Sequence, residues 1–403
     1  MTDQLGVRPA QLRLVDPALA ARVSAPATDA PAGHGTGDEP ADPLSYRAVL
    51  RTPDDPAARR STLQANRAAL ERLLADGVFS EPRRRFAWYR LRAGEHVQTG
   101  LVAEVAIRDY LDGRIMRHEH TRAEREELLA DHQRIVAADS SPVALAFHSD
   151  PGLRELAAAA TRAAPYLRFT AEDGVEHTLW TVEDGPAVRA VCDAVDALQR
   201  LYITDGHHRF AAATTVAAAA RAAGADDDAP DQWLLAALFP HDELRILAFH
   251  RAVARPKGPT TAQLLAELTD CGAVTALDGP REPGRPHEFT VLLDGAWYVL
   301  AVDSRTFGGG LLDRLDVTVL HEQVLTPVLA VREPRFDPRL TYVAGGTAEV
   351  AAHCARRHAI GFMLRPTSIT ELMAIADAEL VMPPKSTLFA PKVRAGLVLR
   401  RTG

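Results

Sequence analysis

Lysine is scarce in this sequence of 403 residues. The three lysines are Lys257, Lys385 and Lys392, so arginine supplies almost all of the 46 basic residues. A lysine retained in such a chain is a candidate for a position where a planar guanidinium cannot replace a compact ammonium, with chance as the alternative. Two of the three lie close together in the segment MPPKSTLFAPK.

Cysteine and long apolar runs are also lacking. Cys192, Cys271 and Cys354 are odd in number and far apart, which argues against a disulfide framework and against a zinc-ligand spacing. No run reaches the roughly 18 apolar residues of a membrane span, and the first residues lack the basic start and apolar stretch of a secretory signal. We therefore expect a cytoplasmic protein with no membrane partner.

Positive charge is in deficit. The chain has 46 basic and 53 acidic residues, for a formal net charge of −7 at pH 7. Since general nucleic-acid binders are basic, we expect a small-molecule substrate rather than DNA or RNA, although a local basic groove stays open. The sequence does not indicate an oligomeric state.

Helical and strand patterns intermingle through the chain. The length predicts two or three domains, and ARPKGPT at 254–260 separates two regions that each mix both patterns. We therefore predict an α+β, or mixed α/β, fold with an amino-terminal domain over 1–254 and a carboxyl-terminal α/β domain over 255–403. Segment 24–43, rich in Pro, Gly and Asp, is predicted to be a loop, and 98–110 a strand.

The first candidate site is LYITDGHHRFAAA, which predicts a strand, a sharp turn at Gly206, and a helix that opens with His207, His208 and Arg209. The N-terminus of a helix exposes backbone N–H groups and a partial positive charge, and glycine lets an anion approach the backbone. Asp205 could cap the helix, hold a divalent cation or accept a proton. The pattern favours a phosphate site over a purely structural helix start.

The second candidate site is RHEHTR, between a predicted strand and a predicted helix. On an extended chain His118 and His120 share one face, and Glu119 lies on the other. A carboxylate at such a junction could act as a general base or as a metal ligand. The alternative is a solvated loop that leads into a helix with Thr121 at its N-cap and Glu124 in a capping box. As a zinc site the pattern is weak, because no His-x-x-x-His helix is present.

The third candidate site is MPPKST, in which two prolines fix an extended entry to Lys385, Ser386 and Thr387. The ammonium could neutralise a phosphate or carboxylate, and the hydroxyls could donate hydrogen bonds. The segment is no Walker A loop, because the glycines are absent. A serine hydrolase and a dinucleotide oxidoreductase get little support, since no nucleophile elbow and no Rossmann glycine fingerprint is found.

Six ordered segments, GLVAEV, HEHTR, HTLWTV, LYITDGHHRFAAA, AFHRAV and MPPKSTLFAPKVRAGL, resemble the domain of unknown function 1015 family over nearly the whole chain. The Asp-Gly-His-His-Arg turn is similar to the phosphate-binding turn of the ParB, sulfiredoxin and free serine kinase group. This resemblance implies a ParB/sulfiredoxin-like core, a phosphate loop at 205–209, and Glu119 as the base that the serine kinases place upstream. One departure is that the family's Ala-Pro-Pro-Tyr-Asp type motif reads APATD at 25–29 here.

Together these observations predict a small-molecule kinase that phosphorylates a hydroxylated amino acid such as free serine. ATP, ADP or pyrophosphate would be the phosphate donor, with Mg²⁺ as the cofactor, because phosphoryl transfer needs positive charge around the moving group. The predicted roles are catalysis for Glu119, Asp205 and Arg209, metal binding for Asp205, phosphate binding for Gly206, His207, His208, Arg209, Lys385, Ser386 and Thr387, and substrate binding for His118, His120 and Arg122.

Two alternatives stay open. A metal-dependent hydrolase would use the histidines of both loops, together with Asp205, as metal ligands. A non-catalytic regulator would bind a nucleotide at 205–209 and, as ParB relatives do, DNA. A sulfiredoxin-like reductase is disfavoured because its chemistry needs a thiolate, and no cysteine falls within that turn.

Overall fold

The structure is a computed structural model that describes residues 4–26, 42–53, 55–303 and 307–402. Most of the predicted loop at 24–43 therefore lies outside the described residues. The strands are β1 (Val7–Arg8), β2 (Ala10–Leu14), β3 (Ala25–Pro26), β4 (Arg83–Ala93), β5 (His96–Ala106), β6 (Ile115–Met116), β7 (Ala138–Asp139), β8 (Val143–Phe147), β9 (Leu167–Thr170), β10 (Glu176–Val182), β11 (Leu201–Asp205), β12 (Trp233–Pro240), β13 (Ile246–Leu247), β14 (His250–Ala254), β15 (Gly272–Leu277), β16 (Glu288–Leu293), β17 (Ala296–Val302), β18 (Leu340–Val343), β19 (Ala359–Met363), β20 (Leu388–Phe389), β21 (Arg394–Ala395) and β22 (Val398–Arg401). The helices are α1 (Ala20–Val23), α2 (Pro56–Ala75), α3 (Ile107–Leu111), α4 (Ala123–Val136), α5 (Pro151–Ala160), α6 (Gly185–Asp196), α7 (His207–Ala222), α8 (Thr261–Cys271), α9 (Asp316–Leu320), α10 (Thr326–Leu329), α11 (Thr347–Arg357) and α12 (Ile369–Asp377).

The chain divides into two compact units. Unit 1 comprises Met1–Leu244 and Pro391–Gly403, and unit 2 comprises Arg245–Ala390. This grouping begins the second unit before the expected division at 254/255, and the end of the chain returns to the first unit. The predicted domains over 1–254 and 255–403 therefore remain a prediction.

Unit 1 is built on a mixed sheet with the strand order β6-β11-β8-β12-β5-β4-β2-β22-β7. Strand β6 runs parallel to β11, and β8 runs parallel to β12, whereas β11 and β8 are antiparallel. Because parallel neighbours end at the same edge of a sheet, the loops that follow β6 and β11 lie side by side. This register brings the RHEHTR segment next to the turn at 205–209.

Apolar side chains cover both faces of the unit 1 sheet. Along β12, Leu234 and Leu238 face one buried cluster, while Leu235 and Phe239 face the other. Side chains alternate across a strand, so a strand that is buried on both faces has a continuous apolar run, as LLAALF is. Helices α5, α6 and α7 pack on one face and α2 packs on the other.

Two local predictions in unit 1 need correction. The strand predicted over 98–110 is confirmed as far as Ala106, where β5 ends, and is wrong beyond it, where α3 follows. The fully buried Asp109 carboxylate of α3 accepts a hydrogen bond from the Gly6 amide at 2.6 Å and pairs with Arg114, also at 2.6 Å, which stabilises the helix at this point. The predicted cap at Thr121 is also wrong. Helix α4 begins at Ala123, and its N-cap, Arg122, makes no side-chain capping bond.

Unit 2 has its own sheet, in the order β15-β17-β16-β19-β14-β18, and α8 begins with a capping box between Thr260 and Gln263. Strands β16 and β17 pair as a hairpin around Asp294 and Gly295. Both turn residues have positive φ, 50° and 84°, as the tight hairpin turns that match strand twist require. The mixed α/β class predicted from the sequence is therefore confirmed in both units. Over the described ranges, no helix has the length and apolar character to cross a membrane.

Candidate active site

The turn between β11 and α7 is shaped by Gly206. Its φ of 98° and ψ of 28° lie in the left-handed region, where a side chain is strained. A Cβ atom here would lie 2.9 Å from Val143 Cγ1 and 2.9 Å from Arg209 Nη2. Glycine is therefore required both by the backbone conformation and by the close packing of the Arg209 guanidinium.

Arg209 fixes the start of α7 to the rest of unit 1. Its Nη1 donates to the carbonyl oxygens of Ser141 at 2.6 Å and Pro142 at 3.0 Å, and its Nη2 donates to Asp205 Oδ2 at 2.7 Å. The Arg209 and Asp205 side chains are only 11% and 12% exposed, so these charge-assisted bonds are shielded from water. The second oxygen of Asp205, Oδ1, accepts from Lys392 Nζ.

His207 is buried at the first position of α7, with only 5% of its side chain exposed. Glu119 Oε2 lies 3.8 Å from His207 Nδ1, and the His118 ring stands nearly perpendicular to the His207 ring at 4.5 Å. No described residue offers a hydrogen-bond partner to His207 Nε2, which is also buried. Two of the predicted loops therefore meet at this histidine.

The two buried imidazoles are neutral at pH 7. Burial holds the pKa of His207 well below its ordinary value, and the neighbouring positive groups lower it further. Burial lowers the pKa of His118 to about 4, against a weaker opposing effect of its hydrogen bond with the Ile203 backbone. His207 can therefore hydrogen-bond an anion but brings no full charge to it.

The remaining residues of RHEHTR are partly or fully exposed to solvent. His120 and Arg122 are exposed, whereas the Glu119 side chain is 42% exposed beside the buried histidines. The structure thus joins Glu119, His118 and His207 into one cluster in unit 1. The substrate-binding roles of His118, His120 and Arg122 stay predictions.

The third predicted segment, MPPKST, belongs to unit 2. Lys385 has a positive φ of 56°, and its Nζ lies 5.1 Å from the centre of the Phe249 ring. Ser386 donates its hydroxyl to the Pro383 carbonyl at 2.6 Å, which closes the turn. The backbone carbonyl of Lys385 accepts from Arg251. The phosphate-binding roles of Lys385, Ser386 and Thr387 stay predictions.

The donor atoms of unit 1 do not make a ready metal site. Both carboxylate oxygens of Asp205 already accept from cations, Arg209 and Lys392. Among the residues that the structure describes, no group of three or more His, Cys, Asp or Glu side chains could hold a metal ion. A Mg²⁺ ion at Asp205 would have to displace a cationic partner, so the residues present fit neither the expected magnesium site nor the ligand set of a metal-dependent hydrolase.

Sequence reasoning missed the role of Lys392 and the carbonyl oxygens that hold Arg209. The available signal for Lys392 was the scarcity of lysine, which pointed equally to Lys385. The structure distinguishes the two lysines, because the chain returns to unit 1 at Pro391 and so Lys392 belongs to unit 1 and Lys385 to unit 2.

Comparison with protein families gives one match, to a family model described as protein of unknown function (DUF1015), over residues 7–318. None of the curated proteins compared with the chain matches it.

Several solved structures are distantly similar. A structure of free serine kinase in complex with AMP is 13% identical, covers 73% of this chain and 92% of its own, and has a TM-score of 0.35. A mutant free serine kinase in complex with ADP is 14% identical, with the same coverage and a TM-score of 0.36. SbnI with a C-terminal truncation, from Staphylococcus aureus, is 14% identical, covers 73% of this chain and 87% of its own, and has a TM-score of 0.36. These similarities are too weak to indicate an activity for this chain.

Proposed function

The chain belongs to the DUF1015 family of proteins of unknown function, and we propose, from the geometry of the site, that this member is a small-molecule kinase. It would transfer a phosphoryl group from a nucleotide or pyrophosphate to the hydroxyl of an amino acid such as serine. The observation that carries the proposal is the meeting of a carboxylate, Glu119, with the buried His207 at the N-terminus of α7.

The N-terminus of α7 supplies the phosphate site. The first N–H groups of a helix have no intrahelical acceptor, and the helix dipole adds about half a positive charge there. Arg209 is paired with Asp205, four residues before it, so this ion pair fixes the turn at the start of the helix and adds little net charge to the site. His207 Nε2, buried and without a described partner, is available to a phosphate oxygen as a neutral hydrogen-bond donor.

Glu119 is placed to act as the general base. Its carboxylate is partly exposed and lies 3.8 Å from His207, so an acceptor hydroxyl bound between it and the phosphate would be within reach of both. In the proposed step the hydroxyl proton moves to Glu119, the acceptor oxygen forms a bond to phosphorus, and the bond between that phosphorus and the bridging oxygen of the donor breaks. The leaving group, which is ADP from ATP, AMP from ADP or phosphate from pyrophosphate, keeps the electron pair of the broken bond.

The proposed step does not pass through a protein-bound metal. Because the oxygens of Asp205 are occupied by Arg209 and Lys392, magnesium would arrive on the phosphate oxygens of the donor, where this small cation commonly binds. The protein's own contribution is then positioning and fixed positive charge, which supply most of the catalysis in phosphoryl transfer.

The roles of Glu119 and Arg209 can be tested by substitution. Removing a general base typically slows turnover by a factor of about 100 or more, so Glu119→Gln should lower kcat by that much while leaving donor affinity unchanged. Arg209→Ala should weaken donor binding. The matched control is Glu124→Gln, an exposed carboxylate in the first turn of the adjacent α4, which should behave as wild type. Full turnover in both Glu119→Gln and Arg209→Ala would refute the proposal.

A further inference from the structure

The backbone around Lys392 is held in place by its neighbours in unit 1. The Pro391 carbonyl accepts from Gln98 Nε2 at 3.4 Å, and the Arg394 amide donates to the Tyr89 hydroxyl at 3.3 Å. Arg394 itself is buried, with 3% exposure. The backbone on both sides of Lys392 is therefore anchored, and the side chain reaches from this segment to Asp205.

The two cations on Asp205 differ in how firmly they are bound. Arg209 is nearly buried and also donates to two backbone carbonyls, so it cannot leave without losing three charge-assisted bonds. The Lys392 side chain is 41% exposed, and its ammonium is paired, among the described residues, with Asp205. A partly exposed lysine–carboxylate pair is weak, because water and salt screen it.

We propose that Lys392 is the lysine that binds the phosphates of the donor, and that Asp205 holds its ammonium in the absence of that donor. This inference rests on the proposed function. The incoming ligand is a nucleoside diphosphate, a nucleoside triphosphate or pyrophosphate, whose negative charge exceeds that of one carboxylate and draws the flexible ammonium away from Asp205. Asp205, still fixed by Arg209, acts as a positioning residue.

The choice of lysine follows from the chemistry of this exchange. The ammonium is a point charge on a four-carbon stem, so it can pair with Asp205 or with a phosphate by rotation of its side chain alone. The guanidinium of Arg209 is planar and is already fixed in two directions by the Ser141 and Pro142 carbonyls. One cation thus builds the turn, and the other is mobile enough to follow the ligand.

The inference is tested by measuring ADP, ATP and pyrophosphate affinity by titration calorimetry on the full chain, without Mg²⁺ and at several salt concentrations. Lys392→Met should weaken binding of each ligand by about 10-fold to 100-fold, since a charge-assisted bond is lost, and should flatten the salt dependence. Lys392→Arg, which keeps the charge but replaces the compact ammonium with a planar guanidinium, should restore only part of the affinity. The matched control, Lys257→Met, removes an exposed lysine in unit 2 and should bind as wild type.

A purely structural role for Lys392 is distinguished by a double-mutant cycle with Asp205→Asn. If Lys392 only positions Asp205, Lys392→Met has no further effect on affinity once the carboxylate is gone. Our inference expects the loss of affinity to persist in the Asp205→Asn background, because the ammonium still meets phosphate there. Wild-type affinity in Lys392→Met, with wild type itself binding at least one of these ligands, overturns this inference alone. If wild type binds none of ADP, ATP and pyrophosphate, the proposed function falls together with it.

Discussion

Acid should destabilise unit 1 through its buried histidines, and His118 gives the clearest case. The side chain is 1% exposed, and burial lowers its pKa from the ordinary 6.5 to about 4. The folded state therefore binds its proton less readily than the unfolded state does. The resulting stability is fully present above about pH 6.5 and is lost as the pH falls from there toward 4.

The size of this effect follows from the two pKa values. Between pH 7 and pH 5 a lowering of the His118 pKa from 6.5 to about 4 costs about 2 kcal/mol of unfolding free energy, and about 3 kcal/mol once the pH is below both values. His118→Gln removes the titrating group. The variant should then lose about 2 kcal/mol less than wild type over the same pH interval, even if it is less stable at pH 7.

The assay is urea unfolding followed by tryptophan fluorescence at pH 7 and pH 5, with the free energy of unfolding as the measured quantity. The control is His120→Gln, in which an exposed histidine two residues away is removed, and it should show the wild-type loss. If wild type and His118→Gln lose the same free energy of unfolding between pH 7 and pH 5, the reasoning that a buried neutral imidazole lies at the candidate site is refuted.

Two further predictions concern packing and buried charge. Gly206→Ala should cost about 1–3 kcal/mol more stability than Gly224→Ala, because both glycines have positive φ but only at Gly206 would the new Cβ meet close neighbours; equal costs in thermal unfolding would contradict this. Arg400→Met should cost about 3–5 kcal/mol, because it leaves the carboxylate of Asp139 without its guanidinium partner and leaves Glu104 with Arg8 alone; a urea midpoint close to that of wild type would show that both carboxylates are otherwise satisfied.

The local parts of the candidate site could be predicted from the sequence. A buried strand, a glycine and a helix follow one another within LYITDGHHRFAAA, and each depends on residues only a few positions apart. The meeting of Glu119 with His207 could be anticipated only through the family resemblance. In the structure it results from the parallel pairing of β6 with β11, which no local pattern specifies.

The parts that could not be predicted depend on contacts between distant residues. Asp109 ends a strand-like apolar run because Gly6 and Arg114 satisfy its carboxylate, and their positions are set by the tertiary fold. The pairing of Lys392 with Asp205 likewise requires the last segment of the chain to return to unit 1. Spacing within MPPKSTLFAPK gives no basis for choosing Lys392 over Lys385.

The central claim, that this chain moves phosphoryl groups to a small alcohol, is tested most directly by phosphorus NMR. The purified full chain is incubated with Mg²⁺, a pool of hydroxy amino acids that includes serine, and ATP, ADP or pyrophosphate in turn. We predict a new phosphomonoester signal with one donor, and its loss in Glu119→Gln. If no donor is consumed and no donor signal broadens on addition of protein, the turn at Gly206 does not bind phosphate, and the account is contradicted.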